Sequence, residues 1–497
     1  MTISAVFINP NMVVLRADPL TTGVVYMPVG LASVVASVRN AGLETIVIDA
    51  FGAAPKQGRL DGKFLVLGLT YEQVLSKIPS AASAVCIYAN QLINHMALVD
   101  LIKACKDARQ DLPIIVLENT QAVTAYELRS VASELISAGV DWILMGEAEE
   151  RLPLVIKALT SENKHEQIKK IAGLQGRETA TPMALQISNL DRLPFPAWDL
   201  FPLENYWSLR FSHGPQSTKR YLPLLTSRGC PYPCRFCVVP ATNQRKWRGR
   251  SAVNVVDEIQ YLQARFGVEE FHVEDLNPTV NDKRTRAICE EILARNLKIH
   301  WKLVAGTKVE TIRDEQTIEL MACAGCRYIS ISPESGSPRV MKLINKPFDI
   351  EHAIQMIHHM NRVGIKSQAC FVLGYPGEMQ EDRLMTRDMV KRLTREGVDE
   401  IALFIISPVP GSELYSDFKG YQSLSDLNFT PSWRSDFSEL SKFRLNLYAN
   451  FLFWKLRYYP QKILRQIRNF LLRRFETKME MVPYKAAVWK WVEYRHV

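Results

Sequence analysis

The stretch SRGCPYPCRFCVVP, Ser227 to Pro240, directly follows the apolar run Tyr221 to Thr226. Within it Cys230, Cys234 and Cys237 stand at C-x3-C-x2-C spacing. Three thiolates this close can hold three irons of a cubane [4Fe–4S] cluster and leave the fourth iron open; a protein that closes such a site alone supplies four cysteines. An open iron is a place for a substrate or cofactor to bind. The competing reading is a structural zinc site, but zinc sites pair C-x2–4-C with a second ligand pair downstream. The best local pair, Cys323 and Cys326, falls in a helix-like run.

Outward from the cysteines, strand and helix signals alternate. Strands are expected at 221–226, 269–274, 299–304, 327–332, 367–372 and 400–406, and helices at 252–265, 282–296, 314–323, 350–363 and 380–395. Six strands over about 200 residues fall short of a closed eight-stranded barrel of about 250. An open, partial (β/α)6 barrel is the economical reading.

An earlier alternation occupies residues 1 to 155. Short apolar runs at 4–8, 45–48, 84–88, 114–117 and 142–144 are separated by helix-period stretches near 30–41, 95–108 and 124–138, with Gly42 and Gly139 just past two helix ends. This pattern indicates a doubly wound, Rossmann-like parallel sheet. Residues 156–215 lack periodicity and include the Pro-rich connector NLDRLPFPAWDLFP, so they are expected to link the two units. The barrel is then expected over 216–425 and a helical, basic segment over 426–497. The fold class is α/β throughout its two main units.

The chain of 497 residues is 47% hydrophobic and 23% charged, a folded-protein composition. Nine scattered cysteines argue against a secreted disulfide framework and fit a reducing, cytoplasmic setting. Neither a signal peptide nor a run of 18 uninterrupted apolar residues is evident. Ser441 to Lys478 holds ten Lys and Arg and a single acid, Glu476, which accounts for the whole net charge of +9. The remainder is near neutral, so no nucleic-acid partner is expected.

The barrel series resembles the radical S-adenosylmethionine (radical SAM) enzymes over most of its length. Besides the cysteines, FHVEDLNPTVN (271–281), ISPESGS (331–337), FVLGYPGE (371–378) and SPVPGSE (407–413) each follow a strand, at the end where such barrels bind ligands. The resemblance implies a [4Fe–4S] cluster on Cys230, Cys234 and Cys237, and SAM held by Glu274, Asp275, Glu334 and Ser335. Singly these are weak signals, since a carboxylate at a strand end is more often a solvated turn residue or a helix cap.

The first unit resembles the cobalamin-binding domain that precedes the core in one large branch of that family. YMPVGL (26–31), AGLETIVIDA (41–50) and MGEAEE (145–150) carry this likeness and place Pro28, Gly146 and Glu147 at the cobalamin. The D-x-H-x-x-G motif is missing, a loss common within that branch which leaves the lower cobalt face without His. The departure that stands against the likeness is VLENTQAVT (116–124), which has no glycine to let a nucleotide tail approach the backbone. A Rossmann-like domain without cofactor is the alternative. His95, alone among the first 150 residues, reads as a polar surface or capping group rather than a cobalt ligand. Cys86, Cys105, Cys289 and Cys370 read as buried small hydrophobes.

What the resemblance implies is a cobalamin-dependent radical SAM C-methyltransferase acting on an unactivated carbon of a small molecule. The reduced cluster would cleave SAM to a 5′-deoxyadenosyl radical that takes a hydrogen atom from the substrate. Methylcobalamin would then supply the methyl group, with electrons from a donor such as a flavodoxin or ferredoxin. A cyclase, oxidative or rearrangement enzyme without methyl transfer is the enzymatic alternative, and an inactive scaffold the non-enzymatic one. The catalytic residues proper are not identifiable from spacing.

In the basic segment, Ile463, Leu464, Ile467, Phe470, Leu471 and Phe475 recur at helix spacing, with Lys462, Arg465, Arg468, Arg473 and Arg474 mostly opposite. Such a helix either lies in a membrane interface or packs its apolar side on the barrel and solvates its basic side. The first option suggests a peripheral membrane contact and a hydrophobic, lipid-like substrate.

Overall fold

The computed structural model describes residues 4–495. The first sheet runs in the order 44–49, 4–9, 84–89, 114–118, 142–144 and 174–175. Its first five strands are parallel and the last antiparallel. Ala84–Ala89 is buried along its whole length, as parallel strands covered on both faces must be. The sheet therefore extends past the boundary expected at 155, because Leu174–Gln175 pairs with Trp142–Leu144.

Three features were not anticipated. A three-stranded antiparallel sheet joins Met12–Leu15, Phe64–Leu67 and Gly58–Asp61. The expected helix at 124–138 shrinks to Ala132–Ser137 after a 3-10 turn. The expected linker contains the helices Lys164–Lys169 and Leu203–Leu209. The second of these bridges the two units, with Tyr206 on Asp49 (2.7 Å) and Trp207 Nε1 donating to Tyr221 O (2.7 Å).

The second sheet has six strands, 221–224, 270–273, 300–307, 326–334, 366–373 and 400–405, all parallel and in sequence order. Its helices begin where a short polar side chain accepts a backbone N–H: Ser251, Asn281, Asp314 and Asp349 all do so. The lower end of the barrel, before the strands emerge at their C-terminal ends, is plugged by a buried network. There Lys302 Nζ and His272 Nε2 both lie 2.9 Å from Glu270 Oε1.

The C-terminal segment is three helices, Phe437–Tyr458, Pro460–Leu472 and Lys478–Arg495. Pro460 begins the second, as fits a residue whose missing N–H costs nothing in a first turn. The last helix spans both units. Glu400, on the barrel's final strand, accepts the N–H groups of Lys478 and Met479, while Lys485 and Trp489 reach Thr22 O and Gly23 O of the first domain.

Candidate functional site

The cysteine loop leaves the first barrel strand under tight control. Asp275 accepts the Thr226 N–H (2.7 Å) and both the Thr226 and Ser227 hydroxyls (2.6 and 2.5 Å). It is 1% exposed. Asp275 was expected to face SAM; its oxygens are instead committed to the base of the loop. Gly229 follows at φ +79, where a Cβ would stand 2.0 Å from Lys246 O, so a side chain is excluded. Cys237 N–H then donates to Cys234 O (3.2 Å). Arg235 braces the outer side on Leu343 O, Ile344 O and Glu413.

Among the described residues, no three His, Cys, Asp or Glu side chains converge on one point as a single metal ion requires. Three thiolates on separate irons of a cubane need no such convergence. The donor set fits a cluster: soft sulfur ligands with the cation of Lys346 close enough to influence Cys230 and Cys234. Burial pushes Cys234 up to about 11 and Cys237 up to about 12, so metal binding here would displace protons.

Lys346 was not found by sequence reading. Its Nζ donates to Ser332 O (2.9 Å) and pairs with Glu334 (2.5 Å), which sits at φ +63. Glu334 thus lies at the barrel mouth near the cysteines, where it was expected. Ser335 Oγ accepts the Ser337 N–H (3.2 Å) and lies 3.3 Å from Thr386 Oγ1.

Glu274 lines a cleft between the two domains. It pairs with His213 Nδ1 (2.7 Å), and the His213 ring stacks on Tyr26 with centroids 4.3 Å apart. The cleft has an empty volume of about 610 Å³, lined by Pro28, Tyr88, Asn90, Asn119 and Gln121 from the first domain and by Leu276 from the barrel. Gly30 lets Tyr88 close in: a Cβ there would stand 2.3 Å from its hydroxyl. The buried Gln121 Oε1 has no hydrogen-bond partner among the described residues. Amide and phenol groups around an unsatisfied acceptor suit a large polar-rimmed ligand such as cobalamin, and Pro28 is part of the same lining.

Gly146 and Glu147 are not at this cleft. Gly146 N–H donates to Glu118 (2.6 Å). Glu147 is buried between the domains, bound by both terminal nitrogens of Arg248 (2.7 and 2.8 Å), with Arg228 at 3.6 Å. Arg228, two residues before Cys230, also meets Glu149 (2.5 Å). The motif MGEAEE thus fastens the first domain to the cysteine loop. Two like charges at positions 147 and 149 opposite Arg228 were the available signal.

His95 is buried, with Nδ1 2.8 Å from the Tyr126 hydroxyl, rather than a surface group. Cys86, Cys105, Cys289 and Cys326 are buried and Cys323 is exposed. Cys370 is only partly buried and lies 3.4 Å from both Ser330 Oγ and Gln368 Oε1, so it is not a plain apolar filler. Lys478, from the last helix, donates to Val304 O (3.0 Å), and burial lowers its pKa.

Residues 224–405 match the profile of the Radical SAM superfamily. The barrel is a radical SAM domain. That family uses a [4Fe–4S] cluster and SAM, which accords with the thiols and the Lys346–Glu334 pair at the barrel mouth. The chain is 27% identical over 448 residues to the cytidylyl-2-hydroxyethylphosphonate methyltransferase of Streptomyces wedmorensis, covering 82% of this chain and 80% of that protein. It is 28% identical over 298 residues to the anaerobic magnesium-protoporphyrin IX monomethyl ester cyclase of Cereibacter sphaeroides, covering 58% of this chain and 46% of that one. Among solved structures it is similar to the radical SAM methyltransferase TsrM from Kitasatospora setae with cobalamin and [4Fe–4S] cluster bound. The TM-score is 0.63 at 15% identity, over 84% of this chain and 74% of that chain. At that identity the likeness shows the fold, and it extends across both the sheet domain and the radical SAM barrel.

Proposed function

We propose that this protein is a cobalamin-dependent radical SAM enzyme that methylates an unactivated carbon of a small molecule. One observation carries the reading: the inter-domain cleft is shared by the strand ends of the first sheet and by Glu274 and Leu276 of the barrel. A cofactor of the first domain would therefore face the barrel mouth that the cysteine loop borders. When bound, the cluster with SAM would supply an organic radical and cobalamin a methyl group. Cys230, Cys234 and Cys237 hold the cluster, Glu334 with Lys346 binds SAM, and Pro28, Asn119 and Gln121 contact the corrin.

Arg228 fixes the spacing between the two cofactor sites, because it joins the cysteine loop to Glu149. The buried Glu270–His272–Lys302 network and the last helix keep water from entering the barrel behind the reacting groups. An external one-electron donor of flavodoxin or ferredoxin type would serve the cluster. The similarity to a cyclase supports a second reading, radical ring formation on the same two domains.

Anaerobic reconstitution followed by assay of SAM cleavage tests the radical activity, with the Cys230→Ala/Cys234→Ala/Cys237→Ala triple variant as control. It is expected to lose its iron and all cleavage. A cobalamin absorption spectrum of protein from cobalamin-fed cells tests the second cofactor. Retained iron and cleavage in the triple variant would overturn the cluster assignment, and a spectrum without cobalamin bands the cobalamin.

A further inference from the structure

The helix Pro460–Leu472 presents its faces the opposite way from a helix packed by its apolar side. Lys462 Nζ points inward, donating to Gly397 O (2.5 Å) and pairing with Asp399 (3.0 Å). Asn469 also faces inward, to Glu480 (3.2 Å). Leu464 and Leu471 are 68% and 74% exposed, with Ile467 beside them. The preceding helix repeats the arrangement: Lys455 is buried on Asp399 O, while Leu445, Phe453 and Leu456 stand in solvent. Both helices are pinned by a buried lysine to the same Gly397–Asp399 turn, so their apolar faces look away from the barrel together. Sequence left open whether this side packs on the barrel; it does not, apart from Phe475 and the half-buried Ile463. Contiguous exposed apolar surface of this kind marks an interaction site.

The surrounding charge selects the partner. Lys442, Arg457, Arg468, Arg473 and Arg474 are exposed on the same two helices and the turn that follows. Between Lys442 and Phe475 the chain has no acidic residue. Two copies meeting through this face would bring cations against cations with nothing to neutralise them. We infer that the face docks on an anionic bilayer surface, its leucines and Phe453 in the acyl boundary and its arginines among the headgroups. Among the described residues no helix is long and apolar enough to cross a membrane, so the contact is interfacial.

The face lies at the lower end of the barrel. Gly397 and Asp399 precede the last strand, and Phe475 N–H bonds Gln216 O, ahead of the first strand. A docked bilayer would leave the cysteine loop and the cleft facing water, so this surface gives no argument for a lipid substrate.

Co-sedimentation of the full chain with vesicles of phosphatidylcholine, alone or mixed with phosphatidylglycerol, tests the inference. The protein should pellet with the mixed vesicles and far less with phosphatidylcholine alone. Salt should release part of it, since charge attraction is screened within about 8 Å at physiological ionic strength and apolar insertion is not. Arg457→Gln/Arg468→Gln/Arg474→Gln should bind roughly 100-fold more weakly, at about 1 kcal/mol per basic residue. Leu464→Asp/Leu471→Asp should abolish binding while iron content and melting temperature stay unchanged, because both side chains are already in water. Absence of pelleting would overturn the inference, as would equal pelleting of the Asp variant. A concentration-dependent dimer that the Asp variant dissolves, without vesicle binding, would assign the face to a second copy instead.

Discussion

Glu147→Gln should uncouple the two domains. The carboxylate has a side-chain exposure of 1%, receives both terminal nitrogens of Arg248, accepts the Ile187 N–H (2.8 Å) and faces Arg228. Burial alone would raise its pKa, but the hydrogen bond from Arg248 and the charges of both arginines outweigh that and hold it below the ordinary value. Glutamine keeps the size and one acceptor oxygen but removes the charge, leaving Arg248 without an acid and Arg228 with Glu149 alone. Removing one partner of a buried ion pair costs about 3–5 kcal/mol; the retained oxygen points to the lower end, about 3 kcal/mol. At roughly 2–4 °C per kcal/mol for domains of this size, the first calorimetric transition should fall by roughly 6–12 °C and separate from the second.

The pH dependence carries a sign. A folded-state pKa below the ordinary glutamate value of 4.5 gives stability that is complete above that value and is lost as pH falls through the folded pKa. Wild type and variant should therefore differ most at neutral pH and converge in acid. Equal melting at neutral pH, or a gap that persists in acid, would refute the clamp.

Three other expectations concern separate parts of the molecule. Asp275→Ala should lower iron and sulfide per chain, although Asp275 is no ligand, because it removes three hydrogen bonds from the base of the cysteine loop; full cluster occupancy would show that the loop holds itself. Glu334→Ala should weaken SAM binding by roughly 10- to 100-fold, the equivalent of about 1.5–3 kcal/mol for a charged hydrogen bond, with iron intact; unchanged affinity would move the contact elsewhere. Burial pushes Lys485 down to about 7 from 10.5, so the unfolded chain binds an extra proton between those values and stability should rise with pH across that window. Lys485→Met should flatten the rise, by up to roughly 4 kcal/mol, in urea titrations near neutrality and at about pH 10. A slope shared by both proteins would place the titrating group elsewhere.

The barrel was legible because its rules are local. Buried parallel strands read as apolar runs, and Asp349 caps the helix that follows it, so 350–363 was found to the residue; 380–395 was found as closely from its periodicity, without a side-chain cap at Met379. The cysteine loop was legible because three cysteines fall within eight residues. Asp275 and Glu147 were placed in the right loops but given the wrong partners: a carboxylate at a strand end looks the same in sequence whether it meets a ligand or an arginine from another domain. Lys346, His213 and Lys478 escaped because each acts through a contact whose partner lies 12, 61 or 174 positions away. The orientation of the 460–472 helix was unreadable for a related reason. Periodicity finds two faces, but only Asp399 and Glu480, distant in sequence or across a turn, decide which one turns inward.

The last helix has a consequence for the order of events during synthesis. Trp489 hydrogen-bonds to Gly23, 466 positions earlier, and the same helix begins on the barrel's last strand. At about 5–20 residues per second, the turn at Gly23 leaves the ribosome roughly half a minute to a minute and a half before its partner exists. While the barrel sheet is being made, each newest strand is its open edge in turn, from Glu270–Val273 to Glu400–Ile405, and open edges invite pairing with other chains. Assembly can proceed domain by domain, yet the join between the beginning of the chain and the barrel waits for the final eighteen-residue helix. A ribosome stalled before that point would carry two formed halves with no fastening at this seam.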